Sequence, residues 1–274
     1  MSDLISIVVS TYERPDALDA VLRGLSRQSD RDFEVIVADD GSGPATADVI
    51  ARWQSRFGTS LAHVRHEDDG FRLAEIRNRA IAASRGGYCV FLDGDCIPRA
   101  DFVAQHRGLA EPGWFVSGNR ILMSEMLTRA VLADNLAPET WGLARLLQTR
   151  RGGISRIAPA LHLPLGPLRK MGPKRWEGAR GCNLAVARDD LDRVDGFDAS
   201  FSGWGLEDSD LAIRLIHAGV RRKDGRFATG VFHLWHREHD RTGFAGNQLR
   251  LNDVMRGDRI RALRGLSSLA PTHA

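Results

Sequence analysis

The chain has 274 residues, 43% of them hydrophobic and 27% charged, with a net charge of +3 that is weak evidence for any partner. Cys89, Cys96 and Cys182 form no Cys-x-x-Cys pair, which argues against a disulfide framework or a structural zinc and for a reducing compartment. No window approaches about 18 consecutive apolar residues, and "MSDLISIVVS" lacks the basic start and long apolar run of a signal peptide. A cytoplasmic chain is expected, with peripheral contact at the inner face of a membrane left open. The pI near 9.0 comes from arginine, since only Lys170, Lys174 and Lys223 are lysines.

The first 120 residues alternate strand and helix signals. Leu4 to Val9 is a short apolar run. Ala17, Leu18, Val21, Leu22 and Leu25 then lie at helical spacing, with Pro15 suited to a first turn. Strands are expected at Phe33–Ala38, Leu61–Val64 and Tyr88–Leu92. Helices are expected around Val49, Ile50 and Trp53, and over Leu73, Ile76, Ala80 and Ile81. Such alternation predicts an α/β fold with a mostly parallel sheet flanked by helices. Residues 120–176, rich in Gly, Pro and basic residues, read as extended or mobile rather than as packed core. Regular signals return at Cys182–Ala187, a helix at Glu207–Ala218 and a strand at Phe227–Phe232. The last twenty residues read as a basic helix with a frayed end.

Polar motifs follow three of the strands: Ser10-Thr11-Tyr12, Asp39-Asp40-Gly41-Ser42 and Asp93-Gly94-Asp95. Ligands bind beyond the carboxyl ends of such strands. Two carboxylates on a tight glycine turn can hold a divalent cation, and hard oxygen ligands suit magnesium or manganese. Asp-Gly is also a common plain turn. In "SGWGLEDSDLAIRL", acidic residues at a helix start are favoured by the dipole alone. The glycines flanking Trp204 let an indole project, however, and an indole beside a carboxylate can hold a sugar ring while a base works on its hydroxyl. In "FHLWHREHD", His233 and His236 follow a strand, and imidazole is a good metal ligand. His239 reads as a solvated neighbour, and Glu67-Asp68-Asp69-Gly70-Phe71 as a solvated acidic loop in preference to a donor contact.

These stretches together resemble a family 2 glycosyltransferase with the GT-A fold, a Rossmann-like, mostly parallel sheet. "ISIVVSTYERPDALDAVLRGLSRQSDRDFEVIVADDGS" resembles that family's opening, and "LAEIRNRAIAASRGGYCVFLDGDC" its Arg-Asn helix and Asp-x-Asp strand end. "GWGLEDSDLAIRL" and "HLWH" resemble the carboxyl-terminal part of galactosyltransferases and chondroitin-polymerase-type enzymes.

The resemblance implies an inverting, metal-dependent enzyme. It would move a hexose or N-acetylhexosamine from a UDP-sugar to a hydroxyl of a glycan or glycolipid, in surface polysaccharide biosynthesis. It implies Mn2+ or Mg2+ held by Asp95 with His233 and His236, and donor contacts from Ser10, Tyr12, Asp40, Arg77 and Asp93. It implies Asp208 as general base, with Glu207 and Trp204 on the acceptor. It divides one continuous domain into a nucleotide-sugar part (1–119), a variable acceptor or lid segment (120–177), an acceptor and base part (178–245), and a terminal helix and tail (246–274). The basic stretch 145–175 could clamp an acidic acceptor, lie on an anionic membrane or order as a lid. Two alternatives stand beside this reading. A haloacid-dehalogenase-type phosphatase also uses Asp-x-Asp after a buried strand, but on its first strand. A non-catalytic nucleotide-sugar-binding domain is the other. Nucleic acid is not expected, because aromatic residues are sparse in the basic segment and no recognition module is present.

Overall fold

The computed structural model describes residues 4–149, 152–155, 158–237 and 243–269. Its centre is a seven-stranded sheet in the order β3-β2-β1-β4-β8-β6-β9. These strands are β1 (Ile5–Thr11), β2 (Phe33–Asp39), β3 (Leu61–Arg65), β4 (Tyr88–Asp93), β6 (Trp114–Ser117), β8 (Asn183–Ala187) and β9 (Arg221–Asp224). The pairs β1/β2, β1/β4, β2/β3 and β6/β9 are parallel, whereas β8 runs antiparallel to both β4 and β6. A second, three-stranded sheet orders β5 (Cys96–Pro98), β10 (Val231–His233) and β7 (Arg120–Leu122).

The central strands read as continuous apolar runs because helices cover both faces. Side chains alternate between those faces with period two. Ile7, Val9, Val35, Val37, Val90 and Leu92 enter one core, against α1 (Pro15–Ser26), α2 (Pro44–Gln54), α4 (Phe102–Leu109), α5 (Glu125–Ala133) and α6 (Leu143–Thr149). Val8, Ile36, Ala38, Cys89 and Phe91 enter the other, against α3 (Leu73–Ala83), α7 (Arg188–Val194) and α8 (Glu207–His217). A last helix, α9 (Phe244–Arg256), packs on α8 through Leu251 and Val254.

Three sequence expectations change. The segment 120–176 contributes Ile121, Met123, Val131, Leu146, Ile154 and Ala160 to the core, so much of it is packed. Leu127 and Val131, and Leu143, Leu146 and Leu147, do lie at helical spacing; the Gly and Pro cluster after residue 150. The strand expected at Phe227–Phe232 is Val231–His233, because Phe227 takes a left-handed turn conformation (φ 61°). The terminal helix ends at Arg256. Beyond it, residues 257–269 are irregular apart from one short turn, and residues 270–274 lie outside the described part. That irregular stretch is anchored by the Asp195 and Asp198 carboxylates, which accept backbone N–H groups of Ser267 and of Leu263 and Arg264.

Candidate active site

The carboxyl ends of β1, β2 and β4 open onto one cleft of about 710 Å3. Strand register sets its floor, since Ser10 stands beside Asp93 and Thr11 beside Asp39. From α3, the fully buried Arg77 reaches under that floor. Its Nε donates to Ser10 Oγ (3.0 Å), its Nη2 to Asp93 (2.9 Å) and its Nη1 to Glu207 (3.0 Å). Gly181 lies directly over the guanidinium: a Cβ there would stand 2.6 Å from its nitrogens. Asn78, next along the helix, has a different task. Its amide makes two hydrogen bonds to the Phe197 backbone and fixes α3 to the turn after α7.

The ends of β1 and β4 and the first residue of α8 thus meet on one guanidinium. Removing one member of a buried ion pair costs about 3–5 kcal/mol, and here it also takes away the partner of Ser10 Oγ and of the Glu207 carboxyl. Arg77→Ala should therefore lower the unfolding free energy by about that amount, as read by urea denaturation. A loss typical of an exposed arginine would contradict this role.

Gly94 answers why two carboxylates flank a glycine. Its N–H donates to Ser10 O at 2.7 Å, and a Cβ would meet that same oxygen at 2.9 Å. Only glycine lets the turn fold back onto β1. Asp93 then faces Arg77, and Asp95 faces β10.

Register again supplies the partners of Asp95. His233 pairs with Cys96 across β10 and β5, and Leu234 N–H donates to the Asp95 carbonyl (2.9 Å). The Nε2 atoms of His233 and His236 come to 3.6 and 3.3 Å from one Asp95 oxygen. Burial, against the pull of Asp95, pushes the His233 imidazole down to about 4, so it is neutral at pH 7. The Nδ1 of His236 donates to the Arg237 carbonyl at 2.7 Å, and its Nε2 is the atom nearest Asp95. A carboxylate oxygen and two imidazole nitrogens that converge on one point form the arrangement a cation would complete.

The other wall is the loop before α8. Gly203, Gly205 and Leu206 all have positive φ (74°, 93° and 78°). The leucine is an unusual occupant of that region, and such strain persists only where neighbours over-determine it. Here Asn247 of α9, itself buried, donates to the carbonyls of Ser202 and Gly205, and Gly203 N–H donates to Phe71 O. Trp204 lies 5.8 Å from Phe244 between ring centres, and both line the cleft with Phe71. Asp208, in the first turn of α8, accepts N–H bonds from Gly181 (3.0 Å) and Ser209 (2.6 Å), which fix its carboxylate at the cleft.

Glu207 is buried beside it. Burial, reinforced by Asp208 and opposed by Arg77, pushes its carboxyl up from 4.5 to about 7. The folded chain thus binds this proton more tightly than the unfolded chain. The group's contribution to stability is complete below about pH 4.5 and is lost as pH rises through about 7. Glu207→Gln removes that dependence. The Tm of the variant minus that of the wild type should climb between those pH values and level off above them; a flat difference would contradict the assignment.

On the nucleoside side the two aspartates of Asp39-Asp40 separate. Asp39 is fully buried, closing the turn through Ser42 N–H and bonding His63. Asp40 lines the cleft, where it meets His66 Nε2 (2.6 Å) and accepts the Arg72 N–H (3.0 Å). Each oxygen keeps a further lone pair. The Tyr12 ring is 45% exposed and its hydroxyl donates to Asp68 (3.3 Å). The acidic loop is solvated at Glu67, Asp68 and Asp69, as expected, but it also packs over Gly41 and delivers Phe71 to the cleft.

All the sequence-singled residues therefore line this one cleft: Ser10, Tyr12, Asp40, Arg77, Asp93, Asp95, Trp204, Glu207, Asp208, His233 and His236. His239 lies outside the described residues. The sequence did not point to Arg120, Cys96, Gly181, Phe71, Phe244 or Asn247. Arg120 is half-buried on β7, faces Asp93 and Asp95, and makes no hydrogen bond or ion pair with another described residue. A lone arginine in a Gly-rich stretch carries no signal of its own; β7 is positioned by pairing with β10.

A mostly parallel sheet with a carboxylate turn at one strand end and an acidic helix start facing it is the arrangement of a GT-A glycosyltransferase. Residues 6–159 match glycosyl transferase family 2 and residues 168–239 match the N-terminal domain of galactosyltransferase, and the chain belongs to family 2. It is 31% identical to validoxylamine A glucosyltransferase of Streptomyces hygroscopicus subsp. jinggangensis over 86% of this chain and 57% of that protein. It is 27% identical to chondroitin synthase of Pasteurella multocida over 78% of this chain and 23% of that protein. The uncharacterized glycosyltransferase YfnE of Bacillus subtilis is 33% identical, over 95% of this chain and 71% of that one. The chain thus spans about half or less of the first two relatives. Among solved structures, a mannosyltransferase from Pyrobaculum calidifontis in complex with GDP-Man and Mn2+ superposes with a TM-score of 0.61 and 20% identity, covering 92% of this chain and 64% of that one. S. aureus TarS 1–349 in complex with UDP-GlcNAc gives 0.61 at 13%, covering 93% and 66%. No helix among the described residues is long and apolar enough to cross a membrane.

Proposed function

We propose that this glycosyltransferase moves a hexose or N-acetylhexosamine from a UDP-sugar to a hydroxyl of a glycan or glycolipid, with inversion at the anomeric carbon. The observation that carries this reading is the meeting, in one cleft, of the Asp95, His233 and His236 donors with the fixed carboxylate of Asp208. The oxygen and nitrogen donors fit Mn2+ or Mg2+ as cofactor, and the Mn2+ in the mannosyltransferase complex supports the choice. Such a cation supplies positive charge against the leaving diphosphate.

The chain's own groups divide the remaining work. Tyr12 offers a ring face to the uracil and Asp40 a lone pair to its N3–H. Ser10 and Asp93, held by Arg77, receive the ribose and the edge of the diphosphate. Arg120 adds a second positive charge near the phosphates. Trp204 stacks on the acceptor sugar and Glu207 orients it. Asp208 takes the proton of the acceptor hydroxyl as its oxygen bonds to the anomeric carbon, and the bond from that carbon to the phosphate oxygen breaks on the opposite face. One base and an opposed leaving group give inversion. The functional division of the chain follows: donor groups within 1–119, acceptor groups and base within 178–245, and between them a segment whose proposed contact is the acceptor. Surface polysaccharide biosynthesis is the setting we favour, because chondroitin synthases and a hyaluronan synthase are among the relatives.

The test is UDP release from a panel of UDP-hexoses and UDP-N-acetylhexosamines, with and without oligosaccharide acceptors and with Mn2+, Mg2+ or chelator. Transfer that needs the cation and gives the inverted linkage by NMR supports the reading. Phosphate release without an acceptor would overturn it in favour of a phosphatase, and binding without turnover in favour of a non-catalytic domain.

A further inference from the structure

The spacing of the cysteines in the sequence argues against a zinc site, yet the fold joins two of them. The Sγ atoms of Cys96 and Cys182 and a carboxylate oxygen of Asp93 all lie within 4.8 Å of one another. Cys96 opens β5 and Cys182 immediately precedes β8, so the two sulfurs reach the group from different sheets. Both cysteines are free, and they are 0% and 4% exposed. Cys182 and Asp93 nonetheless line the cleft, so a small ion can enter from it. Arg120 lines the cleft beside Asp93 and Cys182. A guanidinium there can offset the charge of the thiolates formed when an incoming cation displaces the thiol protons. Cys89, the third cysteine, is in the core on the far face of the sheet.

We propose that Asp93, Cys96 and Cys182 form a thiophilic cation site on the floor of the cleft, selective for Zn2+ over Mn2+ or Mg2+. Two sulfurs and one oxygen are a donor set for zinc, whereas the harder cations take oxygen and nitrogen. Tetrahedral zinc with Zn–S bonds of about 2.3 Å holds its sulfurs about 3.8 Å apart, within reach of side-chain rotation from the present spacing. Three protein ligands leave one position open to the cleft. Zinc bound there draws Asp93 away from Arg77, which also anchors Ser10 and Glu207. Zn2+ is therefore an inhibitor of transfer and not a substitute activator. This consequence rests on the transferase reading above; the site itself does not.

The experiment uses Co2+ as a spectroscopic stand-in, titrated into the full chain already saturated with Mn2+. The expected result is a sulfur-to-cobalt charge-transfer band in the near ultraviolet, displaced by one equivalent of Zn2+. The band should vanish in Cys96→Ser and in Cys182→Ser and survive in Cys89→Ser. Competition with a chromophoric chelator should show Zn2+ affinity falling at least ~100-fold in the first two variants, since even loss of an outer partner costs about 10–100-fold. No band in the wild type, which needs no variant to fold, would overturn the site, and so would a band persisting in Cys182→Ser. Mn2+-dependent UDP binding, measured on the same samples, separates the two readings. Its absence beside a clear band would overturn the donor assignment and leave the zinc site standing.

Discussion

Asp208→Asn should abolish sugar transfer, lowering kcat by about 10³-fold or more, in the range a general base supplies. Cation-dependent UDP binding should stay nearly unchanged. The geometry explains why this variant separates the two steps. Asp208 makes no contact with the Asp95 and histidine cluster; its oxygens accept N–H bonds from Gly181 and Ser209. An asparagine keeps the shape and one acceptor oxygen, so the loop over Arg77 stays in place, but it cannot take up the proton of the acceptor hydroxyl. The measurement is UDP affinity by calorimetry beside turnover by UDP release. Equal losses in both would show that Asp208 holds the donor and is not the base.

Asp95→Ala acts on the opposite wall. It removes the oxygen on which both imidazoles converge, at 3.3 and 3.6 Å. His233 and His236 remain, but imidazole nitrogens without the carboxylate give a divalent cation no charge compensation. The expected outcome is loss of Mn2+ stimulation and of most UDP affinity, with little change in Tm, because the turn is shaped by Gly94 and the Leu234 bond to the Asp95 backbone carbonyl. Turnover in this variant that Mn2+ still stimulates would contradict the ligand assignment. Together the two variants ask different questions of one cleft: the first loses chemistry and keeps binding, the second loses binding.

The elements of the parallel half were legible because their signals are local. The runs at Leu4–Val9, Phe33–Ala38 and Tyr88–Leu92 mark strands buried on both faces, and the residues after them sit at the carboxyl ends where such sheets bind ligands. The second half was less legible for a physical reason. β9 reads Arg-Arg-Lys-Asp, a sheet edge made of charged residues, so it shows no apolar run even though Lys223 is buried. β7 and β10 are three residues each, too short for a period, and they are held by pairing, β7 with β10 and β10 with both β7 and β5.

By itself, then, the sequence determined the α/β class, the strand-end motifs, and a set of residue types able to bind a cation and move a proton. Only the tertiary structure decided which of them meet. Periodicity says which face a side chain takes, not which distant strand lies beside it. Register between β10 and β5 put the histidines on Asp95, and the buried reach of Arg77 joined Ser10, Asp93 and Glu207. The same packing brought Cys96 to Cys182 and turned Arg120 toward them. Those meetings depend on pairings between remote segments, which no local pattern encodes.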